Sequence, residues 1–447
     1  MDNTNRSRTR TLRRTTILLV VAAAGILNLR FTLTARAQET ASSGGAKTVW
    51  SITAKDIGER LDILASDSLE GRRTGEPGAS KAARYIASEF HRLQLSPIDS
   101  AHVFMQPFDF SEHAMDTTKH GFTHGMNIVG YIRGEDPQLA DQTVIIGAHY
   151  DHLGMGGPFA LDKVHAIHYG ADDNASGTSG LLEIAEHLSK ERYTLKRSVL
   201  FIAFSGEEEG LFGSAYFTEH PLVPLKNVQA MVNMDMIGRM NDSNTLIVQG
   251  MGTSPSWKDL ITSLPESKPL HLKYFQTGTG PSDHAKFYAK DVPVLFLFTG
   301  FHDDYHKATD TRDKINVVGE AKVAQFAESV VLNLANRPDK IAFTRPAGDT
   351  EQKAASFGVY VGGVPDYGYD GDGLRIDEIR DNSPAKAAGL QKGDIVIKFD
   401  EMAIKNIYDY TNALAKHHPG DKVIMKVMRA GVAVDVPVVL GKRSSEH

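Results

Sequence analysis

Four largely apolar runs constrain this chain more than any other feature. They are 143–148 (TVIIGA), 198–204 (SVLFIAF), 228–234 and 292–298 (VPVLFLF). None alternates between apolar and polar residues, so each suits a strand buried on both faces. Segments with helical apolar spacing lie among them, at 177–188 and 316–336, with two more ahead at 54–66 and 77–95. Strands separated by helices imply an α/β domain. The expected fold is a mixed, mostly parallel central sheet flanked by helices.

The pattern breaks at 341–353, where Pro346, Gly348 and polar residues mark a boundary. Beyond it, 354–442 reads as short strands (374–379, 394–399, 423–428, 432–439) with two short helices, a small β-rich module. At the other end, Arg6, Arg8, Arg10, Arg13 and Arg14 precede an apolar run at 17–27, which is too short to span a bilayer comfortably. Ala35-Arg36-Ala37 is a small-x-small cleavage pattern. Residues 1–37 therefore read as a signal peptide, and the chain as exported to a periplasmic or extracellular space. An uncleaved membrane anchor is the alternative. Residues 38–47 are a small, polar linker. The expected domains are 48–340 and 353–445.

Charge and composition narrow the chemistry. The net charge is −6, and the seven arginines and single aspartate of 1–37 contribute +6, leaving −12 on the remainder. Such a balance disfavours nucleic-acid binding, which needs clustered cations. There is no cysteine, so any transition metal must be held by histidines and carboxylates.

Acidic and histidine clusters fall just beyond the apolar runs, where open α/β sheets bind ligands. Ala148-His149-Tyr150-Asp151 follows the first run; alone it also fits an ordinary structural histidine. Gly170-Ala171-Asp172-Asp173-Asn174 opens the helical segment at 177–188, and alone it also fits helix capping. Ser205-Gly206-Glu207-Glu208-Glu209 follows the second run, where three adjacent carboxylates repel one another without a cation; a solvated acidic turn is the alternative. Asn233-Met234-Asp235 ends the third, and Tyr305-His306 lies in the loop after the fourth. Together His149, Asp173, Glu208, Asp235 and His306 offer two imidazoles and three carboxylates from five elements. This donor set fits two zinc ions sharing one carboxylate. His102, His113, His120, His124, His165 and His168 lie in stretches of poor periodicity and fit a loop, solvated or packed around the metal ligands, or else a surface metal trap.

The stretches TVIIGAHYDHLG, HYGADDNASG, FSGEEEGLFGS, VNMDMIGR, SDHAKF and YHKATDT together resemble metallopeptidase family 28, the di-zinc aminopeptidases, over roughly 48–340. The resemblance implies a zinc-dependent exopeptidase acting on peptide substrates. It gives one zinc to His149 and Asp235, the other to Glu208 and His306, and the bridge to Asp173. It makes Glu207 the general base and Asp151 the hydrogen-bond partner of His149. Tyr305 resembles an oxyanion-stabilising tyrosine, and Ser282 a group near the last zinc-binding histidine. It also implies a cis Asp173–Asn174 peptide and leaves Glu209 and Asp172 off the metals. Glutaminyl cyclases and carboxypeptidases share this resemblance more distantly. The stretch GLRIDEIRDNSPAKAAGLQKGDIVIKFDEMAI resembles a bacterial PDZ domain, which implies a peptide ligand added as a strand near Val359-Tyr360-Val361, after a carboxylate-binding loop at 356–359. A module that packs without binding peptide remains open, as does the oligomeric state.

Overall fold

In the computed structural model the described residues are 51–98, 104–109, 124–346 apart from 158 and 163, and 359–442 apart from 366–368, 370, 381, 406 and 415. Residues 1–37, read above as a signal peptide, His102, His113, His120 and residues 356–358 of the expected carboxylate-binding loop lie outside them. Among the described residues no helix is long and apolar enough to cross a membrane.

The N-terminal region is built on eight strands: β1 (Met105–Asp109), β2 (His124–Ile132), β3 (Thr143–His149), β4 (Ser198–Phe204), β5 (Val228–Met234), β6 (Thr245–Gln249), β7 (His271–Phe275) and β8 (Val294–Phe298). Their order is β1-β2-β4-β3-β5-β8-β6-β7. The pairs β3/β4, β3/β5, β5/β8 and β6/β7 are parallel. The pairs β1/β2, β2/β4 and β6/β8 are antiparallel.

Every residue of β3, β4 and β5 is buried, as expected for central strands covered on both sides. Alternation along the strands feeds two separate cores. Val144, Ile146, Val199 and Phe201 join the cluster built with helices Ala54–Leu64, Pro77–Arg92, Gly177–Lys190 and Val317–Asn336. Ile145, Leu200 and Ile202 join Phe217 and Phe287, from helices Phe212–Glu219 and His284–Tyr288, on the other face.

Because β4, β3, β5 and β8 run parallel, their carboxyl ends share one edge of the sheet. The loops carrying His149, Glu207–Glu208, Asp235 and His306 all leave from that edge. The crossover from β3 to β4 brings Asp173 to the start of helix Gly177–Lys190.

The C-terminal region forms its own sheet from β10 (Gly363–Pro365), β11 (Leu374–Ile379), β12 (Ile395–Phe399), β14 (Lys422–Arg429) and β15 (Val432–Val439), with β13 (Met402–Ala403) on β12. Val361, Ile376, Phe399, Met425 and Val436 are among its core residues. Ser383 caps helix Pro384–Ala388, accepting from the amide of Lys386, and Gly389 ends it with φ +77°, the left-handed conformation glycine adopts freely. At the expected peptide-binding edge, Val359–Tyr360 (β9) pairs on one side with the chain's own Gly441–Lys442 (β16).

Candidate metal centre

The five scattered ligand candidates converge. His149 Nε2 lies 3.3 Å from Asp173 Oδ1 and 3.3 Å from Asp235 Oδ1. His306 Nε2 lies 3.2 Å from Asp173 Oδ2 and 3.1 Å from Glu208 Oε2. Asp173 thus turns one carboxylate oxygen toward each histidine. A tetrahedral ion with bonds of about 2.0–2.1 Å keeps its ligands about 3.3–3.4 Å apart, so both groupings have ligand-to-ligand spacing that suits a cation. The donor atoms of His149, Asp173 and Asp235 all lie within 4.8 Å of one another. The nitrogen and oxygen donors present fit zinc.

Local structure aims each group. His149 is the last residue of β3, and its carbonyl accepts from Thr178 Oγ1 at 2.8 Å. The Nδ1 of His306 is 3.1 Å from the Phe159 carbonyl, which sets the tautomer with Nε2 facing the carboxylates. The Asp173–Asn174 peptide is cis, as the family resemblance implied. Asn174 Nδ2 donates to the Met234 carbonyl, and its Oδ1 accepts from the amides of Gly177 and Met236. These bonds tie the Asp173 turn to the end of β5. Asp310 Oδ2 accepts from the amides of Asp172 and Asp173, and Arg239 holds the other oxygen of Asp310 at 3.0 Å.

Asp151 lies beside His149: its carboxylate is 3.7 Å from His149 Nδ1 and its backbone carbonyl 3.2 Å away, and the carboxylate helps raise the pKa of that imidazole. The carboxylate also accepts from Thr74 Oγ1 at 2.9 Å and from the amides of Glu207 and Glu208 at 3.3 and 3.4 Å, which shapes the glutamate turn. Ser282 is placed at the end of β5, accepting from Asn233 at 2.8 Å two residues before Asp235. The Tyr305 ring stacks on His306 with centroids 3.9 Å apart. Glu209 pairs with Arg73 at 3.2 Å, and Asp172 with His302 at 3.1 Å.

The electrostatics match a site built for positive charge. Burial alone would lower His149 and His306. Asp235 and Glu207 outweigh it at His149, which is raised well above its ordinary value, and Glu208 and Asp173 raise His306 to about 10. Burial disfavours the Asp173 anion, yet the bonds from His149 and His306 hold its carboxyl well below the usual range. Glu207 moves the opposite way. Burial, then crowding by Glu208, Asp235 and Asp283, raises it well above an ordinary glutamate despite the opposing pull of His149.

Sequence reasoning missed several residues here. His152 is buried, with Nδ1 2.7 Å from Glu208 Oε1 and 3.9 Å from Asp173 Oδ2. The HYDH spacing was its only signal. Arg72 and Thr74 act across long sequence separations and carry no local signature, whereas Asp310 and Arg239 lie within the stretches YHKATDT and VNMDMIGR, which gave them no role. Of the remaining histidines, His168 is buried against Asp162 at 3.0 Å, in the segment whose Phe159 carbonyl faces His306 Nδ1 and whose Asp162 accepts from the Ala308 amide.

The comparisons agree with this arrangement. Residues 127–331 match the model of peptidase family M28, and residues 351–440 that of a PDZ domain. An uncharacterized Escherichia coli protein, YfbL, is 27% identical over 295 residues, covering 57% of this chain and 86% of that protein. Leupeptin-inactivating enzyme 1 of Streptomyces exfoliatus is 27% identical over 256 residues, covering 57% of this chain but only 50% of the relative. An aminopeptidase from Aneurinibacillus sp. strain AM-1 superposes with a TM-score of 0.51 at 19% identity, over 66% of this chain and 97% of that one. A Bacteroides thetaiotaomicron glutaminyl cyclase does so with a TM-score of 0.51 at 17% identity, over 64% and 99%. The fold is thus shared by proteins of two different reactions. Residues 127–331, which match peptidase family M28, contain His149, Asp173, Glu207, Glu208, Asp235 and His306, and residues 351–440 match a PDZ domain.

Proposed function

We propose that this chain is a two-zinc aminopeptidase that removes N-terminal residues from peptides. The observation that carries this reading is Asp173, whose two carboxylate oxygens face two separate His–carboxylate groupings. His149 and Asp235 would hold one ion, Glu208 and His306 the other, with Asp173 shared. Bound zinc ions supply Lewis acidity toward the scissile carbonyl and lower the pKa of water.

The chain's own residues do the rest. Glu207 stands beside the ligands, its amide anchored on Asp151, a position suited to take a proton from the attacking water and return it to the leaving nitrogen. Tyr305, stacked on His306, is the candidate donor to the carbonyl oxygen as negative charge develops there. An apolar cluster of Met236, Phe296 and Phe298, with Ile247, Phe301 and Tyr305 packed on it, adjoins the cradle through Asp235–Met236 and Tyr305–His306.

The PDZ domain is proposed to bind extended peptide, using backbone not already paired by β16. Export rests on the sequence of 1–37.

Metal content measured alongside hydrolysis of leucyl amides, N-blocked leucyl amides and N-terminal glutaminyl peptides tests the reading. Two zincs with turnover of the free-amine amides alone are expected. Cyclisation of glutaminyl peptides, or cleavage that ignores a blocked N-terminus, would overturn it.

A further inference from the structure

Arg72 is a fully buried cation that the mechanism does not use. Desolvation pushes its pKa down to about 10, so it stays charged at neutral pH. Burying a guanidinium is costly unless its donors are met, and here they are met by backbone carbonyls alone. Nε donates to Tyr150 O at 2.7 Å, Nη1 to Leu64 O and to Tyr169 O at 2.8 Å, and Nη2 to Gly170 O at 2.9 Å. Tyr150 lies between His149 and Asp151. Tyr169 and Gly170 lead directly into the turn of Asp172 and Asp173. One planar fork therefore joins the strand end that carries one metal-ligand candidate to the turn that carries the bridging one.

The neighbours of Arg72 serve the same site. The amides of His152 and Gly154 donate to the carbonyls of Arg72 and Gly71. Gly71 has φ +70°, and a side chain there would meet the carbonyl oxygens of Gly154 and His168 at 2.5 Å, so only glycine lets the two segments approach. Thr74 Oγ1 donates to Asp151 and accepts from the amide of Gly206, each at 2.9 Å, which links the same segment to the turn bearing Glu207 and Glu208.

We infer that the segment 71–74, which precedes the stretch matched by the family model, is a positioning brace for the metal cradle, with Arg72 as its central residue. The inference rests on the two-metal reading above. Metal ligands have to be held within about 0.5 Å of their working positions, and four carbonyl acceptors fix these loops at that scale. Lysine cannot replace the fork, because three donors radiating from one nitrogen do not match four carbonyls arranged around a plane.

Position and charge make opposite predictions, which renders the inference testable. Asp173, Asp151, Asp310 and Glu208 all lie in the field of Arg72. If Arg72 acted only as a charge, removing it would leave the cradle more negative and tighten zinc binding. If it acts by position, removing it loosens zinc binding.

The test uses the full chain with Arg72→Lys, Arg72→Met and Thr74→Val. Zinc affinity is read by competition with a chelating dye, the rise in Tm on zinc addition is recorded, and kcat and KM are measured at saturating zinc. Positioning predicts a 10–100-fold loss of zinc affinity in both Arg72 variants. It also predicts a smaller zinc-induced rise in Tm and a KM close to wild type once zinc saturates. Thr74→Val, nearly isosteric, is expected to lose zinc affinity about tenfold with an unchanged circular dichroism spectrum. If the Arg72 variants fail to fold, Thr74→Val decides alone. Unchanged or tighter zinc binding in the folded variants overturns the brace. A wild-type chain that takes up no metal overturns the two-metal reading and the brace together.

Discussion

Replacing Glu207 by glutamine separates proton transfer from metal binding. The substitution keeps the size of the side chain and the amide bond to Asp151 at 3.3 Å. It removes one proton acceptor and leaves His149, Asp173, Glu208, Asp235 and His306 intact. General base catalysis by a positioned side chain contributes about 10²–10⁴-fold, or about 3–5 kcal/mol of the barrier. We therefore expect kcat to fall by about 10²–10⁴ while KM stays within about threefold and two zincs are retained. The acid limb of the pH–rate profile, where the base is protonated and inactive, should disappear in the variant. Steady-state kinetics on a leucyl amide between pH 5 and 9, beside elemental analysis of the same preparation, reads all of these. A kcat within tenfold of wild type would remove Glu207 from the role. Loss of zinc would make it a ligand instead.

Three further outcomes are expected. Asp173→Ala should bind fewer than two zincs and lose activity, because both groupings share that carboxylate; two tightly held zincs on elemental analysis would refute the bridge. Zinc binding should release protons and strengthen with pH by about tenfold per unit per proton displaced, since Glu208 and Asp173 outweigh burial and hold His306 protonated to about pH 10 in the metal-free protein. By the same sign, the stabilisation of the metal-free fold by His306 is full below its ordinary value of 6.5 and fades as pH rises toward 10; calorimetric zinc titrations that show no proton release would contradict this. Phe326→Ala, at a fully buried position of helix Val317–Asn336, should cost about 3–5 kcal/mol in urea unfolding and leave turnover per folded molecule unchanged.

Much of the site was legible because its residues sit at ends that the sequence announces. An apolar run that stops at a histidine or a glutamate pair declares both the strand and the group at its tip, and this located His149, Glu207, Glu208 and Asp235. Asp173 was legible from a carboxylate doublet opening a helical segment, and His306 from the family stretch around it. In the PDZ domain, helix Pro384–Ala388 was legible from Ser383 before a proline and Gly389 after it.

Strands away from the sheet's centre were not legible in this way. β2 mixes exposed, intermediate and buried positions around Gly125, Asn127 and Gly130, and β7 is largely solvated, so neither presents a clear period. The short β9 took its meaning from a partner 80 residues away, β16.

The amino-acid order by itself determined which segments become buried strands and which donors can bind a metal, because periodicity and side-chain chemistry are local properties. Tertiary structure alone decided that parallel strands bring those donors to one edge, and that Asp173 faces both histidines. It also decided that Asp151 shapes the glutamate turn while Arg72 locks two loops together. These are contacts across tens to more than a hundred residues, set by sheet order and loop approach, and no short window of sequence carries such distances.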